Sequence, residues 1–184
     1  MGVKVMCTNE NFDILVMLKN HKPDELEDIL MKINNMKIST DKHDPNFYIK
    51  ECEVIKALLV ESNLDPQYIV HKLNEDHGET VSYAVHMDGV ASTRLSCIIQ
   101  RVVELLDSKI NEGDSFKVIS NLRSINLRSS EELNAAVSEE IEGKLNLRCD
   151  EENPDWIVQL EVLGENTGIT IFNHKNLLKM IQTN

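Results

Sequence analysis

Few residues in this 184-residue chain have the type and spacing to do chemistry. Asp41, Lys42, His43 and Asp44 form the densest cluster of metal-ligating character, yet no further ligand recurs at a spacing that would complete a coordination shell. A solvated loop is the expectation there, with no metal. His71, His77, His86 and His174 are scattered, and none sits in a nucleophile-and-base arrangement. The paired acids Glu139-Glu140 and Glu151-Glu152 read as helix surface and loop. There is no GxxxxGK[ST] loop, no GxGxxG after a strand, no HExxH and no GxSxG, so nucleotide, dinucleotide, zinc-protease and serine-hydrolase chemistry each lack their motif. Neither a cofactor nor an enzymatic activity is expected.

Cys7, Cys52, Cys97 and Cys149 are spread along the chain without a CxxC pair, and they read as four reduced, apolar side chains. No run reaches the ~18 apolar residues of a membrane helix, and the N-terminus lacks a cationic segment followed by an apolar one. The expectation is a cytoplasmic protein that does not engage membranes.

The cations carry more information, because they stand out against an acidic background of 31 Asp and Glu to 19 Lys and Arg, a net charge of −12. That balance opposes broad attraction to phosphate backbones, so a nucleic-acid contact has to be local. Between Ser115 and Ser130 the chain holds Lys117, Arg123 and Arg128 with no acid, and from Asn166 to Asn184 it holds Lys175 and Lys179, again with none. Brought together, these would form a positive surface on which Arg can hold phosphate bidentately. Taken alone, three bases in that first stretch are also what an ordinary solvated face carries.

The elements that must position these residues follow from periodicity. Residues 11–19 are a strand, and Pro23 opens a helix with Leu26, Ile29, Leu30 and Ile33 on one stripe, ending near Asn34 and Asn35. The pairing of residues 36–50 is open. Residues 54–62 read as a buried strand, Asp65-Pro66 as the cap and first turn of a second helix, and residues 81–87 as the next strand. The order β-α-β-β-α-β is the ferredoxin-like unit. A strongly amphipathic helix over 93–110 then leads through Gly113 into a strand from Ser115. Ser129 followed by Glu132 has the capping-box pattern and opens a helix that should stop around Gly143. Asn153-Pro154-Asp155 turns the chain into a strand with Val158, Leu160 and Val162 on one face, and Gly164 to Asn166 makes a hairpin into a last strand. The fold class is α/β of the α+β kind, divided at 1–90 and 91–184.

The stretch from Gly113 to Phe172, with its F-K-V strand, following basic residue, Ser-led helix, N-P-D turn and paired closing strands, resembles the THUMP domain. The likeness covers roughly residues 93–172. It implies a tRNA-binding module, commonly preceded by a small ferredoxin-like domain and usually joined to a catalytic domain. Only about a dozen residues follow Phe172, so the expected relative is the stand-alone adaptor of an RNA cytidine acetyltransferase, which binds tRNA while the separate enzyme forms N4-acetylcytidine. By this resemblance Lys117, Arg123 and Arg128 would hold tRNA phosphates or the acceptor end, and Ser129 and Ser130 would donate to phosphate from a helix N-terminus; Lys175, from the acid-free closing stretch, would extend the surface. Where the family commonly carries more bases, this chain has Ile119, Ser120, Asn121 and Leu122. The alternative expectation is a protein-interaction module that keeps the fold with little RNA affinity.

Overall fold

The computed structural model describes residues 11–20, 22–39, 46–52, 54, 56–75, 80–123 and 129–174. The chain divides into two compact units, the boundary falling between Met87 and Asp88.

In the first unit, apolar β1 (Ile14–Leu18) leads into α1 (Pro23–Ser39), β2 (Phe47–Glu51), β3 (Ala57–Ser62), α2 (Pro66–Asn74) and β4 (Val81–His86). The sheet order is β2-β3-β1-β4, with every neighbouring pair antiparallel, which is the ferredoxin-like arrangement. Period-two alternation places Ile14, Val16, Leu58 and Val60 on the helix-covered face, packed with Ile29, Ile33, Ile69 and Leu73. Each such side chain contributes about 1.5–3 kcal/mol on burial. Asp65 caps α2 as expected, its carboxylate accepting from the Gln67 N–H at 3.0 Å with Pro66 in the first turn. The open stretch resolves partly: α1 runs past Asn35 to Ser39, and β2 pairs with β3 from Phe47↔Ser62 to Glu51↔Leu58. Residues 40–45, including the Asp41–Asp44 cluster, lie outside the described residues. β3 starts at Ala57 rather than at residue 54, because the chain first turns through Lys56 at φ 73° and closes the Ala57 N–H on the Val54 carbonyl at 3.1 Å.

The second unit runs β5 (Gly89–Ser92), α3 (Leu95–Asp107), β6 (Ser115–Leu122), α4 (Ser130–Leu145), β7 (Arg148–Cys149), β8 (Trp156–Leu163) and β9 (Asn166–Asn173). Its sheet order is β5-β9-β8-β6-β7; β6 is parallel to β8 and β7, while β9 is antiparallel to β8 and β5. Phe116 and Val118 of β6, Val158, Leu160 and Val162 of β8, and Ile169 and Ile171 of β9 form the inner face. Against them lie Ile98, Val102 and Leu106 of α3 and Leu133, Val137 and Ile141 of α4. The opposite face of β6 therefore presents Lys117, Ile119 and Asn121, beside Ile157, Gln159 and Glu161 of β8.

Three expectations change in this unit. α4 passes through Gly143, where nothing approaches within 4 Å of a would-be Cβ, and ends at Asn146, which takes the left-handed conformation at φ 52° and donates to the Glu142 carbonyl at 3.1 Å. β5 and β7 were not foreseen, because strands of four and two residues are too short to show alternation and exist by pairing with longer neighbours. Cys97, buried at the start of α3, is disulfide-bonded, which corrects the expectation of four reduced thiols.

Candidate nucleic-acid interface

One end of the second sheet gathers chain segments suited to binding an anion. Register sets this: Leu122 ends β6 opposite Val162, Leu163 turns back through the hairpin to Asn166, and Asn166 lies opposite Ser92 at the end of β5. The Thr93 N–H donates to the Glu165 carbonyl at 2.8 Å, which brings the connection into α3 to the same end. Ser120 Oγ donates to the Ser130 carbonyl at 3.4 Å, which brings in the start of α4 as well. The N-termini of both helices thus open at the carboxyl ends of the parallel strands β6 and β8, where α/β sheets commonly place ligands.

Arg123 stands at this end. Its backbone N–H continues the ladder to the Val162 carbonyl at 3.0 Å, and its Nε donates to Glu161 Oε2 at 3.3 Å. Glu161 is only 1% exposed, and it also accepts from Asn121 Nδ2 at 2.7 Å and Gln159 Nε2 at 2.9 Å. The buried carboxylate is stabilised by these donors and in turn holds Arg123 in place. Ser129 is the N-cap of α4, its Oγ accepting from the Glu132 N–H at 3.0 Å, so the capping role read from its spacing is the one it plays. Ser130 follows in the first turn, together with Glu131 and Glu132, whose charges offset the positive end of that helix.

α3 differs. Its first turn carries no acid, its cap residue Arg94 makes no side-chain cap bond, and Arg94 is exposed. Every other described Lys or Arg of the unit is ion-paired: Arg101 with Glu104, Lys109 with Asp88, Lys117 with Glu151, Arg123 with Glu161, Lys144 with Glu140 and Arg148 with Asp150. Arg94 is therefore the unit's described cation without a carboxylate partner. Sequence reasoning missed it because it falls in the junction before the helix; the available signal was a strand-to-helix connection followed by a first turn free of acid.

Lys117 sits toward the opposite end of β6. Six residues of strand at ~3.3 Å each separate it from Arg123 by roughly 20 Å. Its Nζ bonds Glu151 twice, at 2.9 Å to the carboxylate and 3.0 Å to the carbonyl. The structure thus brings Arg123, Ser129 and Ser130 together with Arg94 and leaves Lys117 apart. Arg128, Lys175 and Lys179 lie outside the described residues.

Among the described residues near Lys117, the Cys149 thiol is not a primed nucleophile. Burial pushes the Cys149 thiol up from its ordinary pKa, and the neighbouring Glu151 carboxylate adds to the effect, so it stays protonated at neutral pH. The N-P-D turn is architectural: Asp155 Oδ2 accepts from the Ser115 N–H at 3.0 Å and its Oγ at 2.9 Å, tying the start of β8 to that of β6. Among the described residues no group of three or more His, Cys, Asp or Glu is placed to hold a metal ion. No described helix is long and apolar enough to cross a membrane.

Residues 92–171 match the family model of the THUMP domain, so the second unit carries that domain. No curated protein matches the chain by sequence. Among solved structures, PH1313 from Pyrococcus horikoshii is similar at 17% identity and TM-score 0.66, covering 89% of this chain and 55% of that one. A 4-thiouridine synthetase crystallised with RNA and ATP is similar at 14% identity and TM-score 0.58, over 88% of this chain and 41% of the other. TrmN from Thermus thermophilus is similar at 12% identity and TM-score 0.50, over 86% and 44% respectively. At these identities the likeness is one of fold, and this chain spans about half or less of the length of each.

Proposed function

We propose that the chain is a non-catalytic RNA-binding adaptor whose THUMP-bearing unit holds structured tRNA at the end of its sheet and presents it to a separate modifying enzyme. The carrying observation is the convergence of two helix N-termini with Arg94 and Arg123 at one end of the sheet. The matching domain and the fold shared with a synthetase crystallised with RNA support this reading. Phosphate and shape contacts dominate over base reading in such a site. The enzyme served is an RNA cytidine acetyltransferase, and the modification is N4-acetylcytidine.

The test is tRNA binding by fluorescence anisotropy at two salt concentrations. Arg94→Glu should weaken binding at least tenfold, and Lys117→Glu, at the far end of β6, should change it little. Absence of tRNA affinity in the unmodified chain at low salt overturns the direct-binding role. The ion pairing of six of the unit's seven described cations favours one rival, a protein-interaction module. That rival requires stable association with the acetyltransferase after nuclease treatment together with no tRNA affinity. Loss of tRNA acetylation on deleting the chain, restored by supplying it, tests the adaptor role itself.

A further inference from the structure

We infer that Thr167 is a positioning residue for the RNA site: its buried hydroxyl, bonded to that of Thr93, fixes the backbone from which Arg94 reaches phosphate. The inference rests on the RNA-binding reading above and names a residue that acts through Arg94 without touching RNA.

Thr167 occupies a position where an apolar side chain is expected. Ile169 and Ile171 of β9 belong to the apolar core under the helices, and period-two alternation puts Thr167 on that same face. It is 0% exposed and lies between Ala91 of β5 and Val162 of β8 in the ladder. A hydroxyl taken from water into such a place costs free energy unless it is hydrogen-bonded, whereas valine has the same shape and makes no such demand. The hydroxyl meets Thr93 Oγ1 at 2.9 Å, across 74 positions of sequence, and either oxygen can donate.

Thr93 is thereby held at two atoms. Its N–H donates to the Glu165 carbonyl at 2.8 Å in the β8–β9 hairpin, and its side chain is anchored to β9. The next residue is Arg94, whose backbone is engaged on both sides. Its N–H donates to the Ser92 carbonyl at 2.7 Å, and its carbonyl accepts from the N–H groups of Cys97 at 2.9 Å and Ile98 at 3.0 Å. That leaves the side chain to reach outward: Arg94 is exposed and makes no side-chain cap bond. Without the hydroxyl pair, the junction between β5 and α3 would keep only its backbone bonds. A cation on a fixed backbone loses less conformational freedom on capturing phosphate than one on a loose connection, and this turns a buried hydrogen bond into affinity.

The experiment is tRNA binding by the full chain, followed by fluorescence anisotropy, with thermal melting of each variant. Thr167→Val keeps the shape and removes the hydroxyl; it should weaken binding about three- to tenfold, the effect of one hydrogen bond. Its melting temperature should fall by no more than about 4 °C. Thr167→Ser, which keeps the hydroxyl, should bind within about twofold of the unmodified chain. In an Arg94→Gln background, Thr167→Val should cost less than about twofold, because a residue acting through Arg94 has nothing left to position. Should Thr167→Val not fold, Thr93→Val breaks the same bond from its half-buried side and should show the same loss and the same dependence on Arg94. If the unmodified chain binds tRNA and Arg94→Gln weakens it but Thr167→Val does not, the positioning role is wrong while the RNA site stands. An equal loss with and without Arg94 also overturns it, since the hydroxyl then serves only the fold. If the unmodified chain does not bind at all, the RNA reading and this inference fall together.

Discussion

Removing the Glu161 carboxylate should unfasten Arg123 and destabilise the THUMP-bearing unit, by an amount that depends on whether Arg123 is still present. Breaking a fully buried ion pair costs about 3–5 kcal/mol. Here Glu161 is 1% exposed but Arg123 is 29% exposed, and Asn121 is at the surface, so both donors can turn to water once the acceptor is gone. Glu161→Ala is therefore expected to cost about 2 kcal/mol, below the buried limit. Arg123→Ala leaves a buried carboxylate with only the Asn121 and Gln159 amides, and should cost about the same. The double variant loses both charges together and should cost about 2.5 kcal/mol rather than 4, a coupling near 1.5 kcal/mol. Urea unfolding followed by the fluorescence of Trp156, the chain's only tryptophan, reports this unit. Additivity of the two single changes within about 0.5 kcal/mol would refute the argument. The cycle matters for function, because an Arg123 variant tested only for RNA binding would mix a lost contact with a loosened fold.

Ser129→Ala removes the acceptor for the Glu132 N–H and should cost about 1 kcal/mol, yet leave tRNA affinity within twofold, since its Oγ is engaged in the cap; a large loss of affinity at unchanged stability would reverse that assignment. The Asp150 carboxylate is held below its usual range, first by the Asn153 N–H and also by the Glu152 N–H and Arg148. Its pKa is thus lower folded than unfolded, so its contribution to stability is present above about pH 4 and is lost as pH falls through the depressed value. Urea midpoints of the unmodified chain and Asp150→Asn should differ at pH 6 and converge under strongly acidic conditions; a gap that widens toward low pH contradicts the sign.

Part of the architecture was written in local pattern. The Ser129-to-Glu132 spacing located a cap that forms as read, Asp65-Pro66 did the same for α2, and the alternation of Val158, Leu160 and Val162 located the inner face of β8. These signals are legible because capping and period-two burial depend on residues within one turn or one strand. The four-residue β5 and two-residue β7 were not legible, because their existence depends on a long-range partner. The stop expected around Gly143 failed for a related reason: a helix passes through a glycine when a residue further on, here Asn146, takes the left-handed cap.

For the site, the sequence by itself determined an acidic chain with sparse cations and a run free of acid from Ser115 to Ser130. It could not say which of those cations carry uncompensated charge. Lys117 meets Glu151 across 34 positions of sequence and Arg123 meets Glu161 across 38; Glu161 arrives on the paired strand β8 and Glu151 in the bend after β7. Arg94 stands out only after those pairings are drawn. Charge along a chain is additive, whereas the charge a surface presents depends on which opposite charges the fold brings within ~4 Å. Tertiary structure alone decided that.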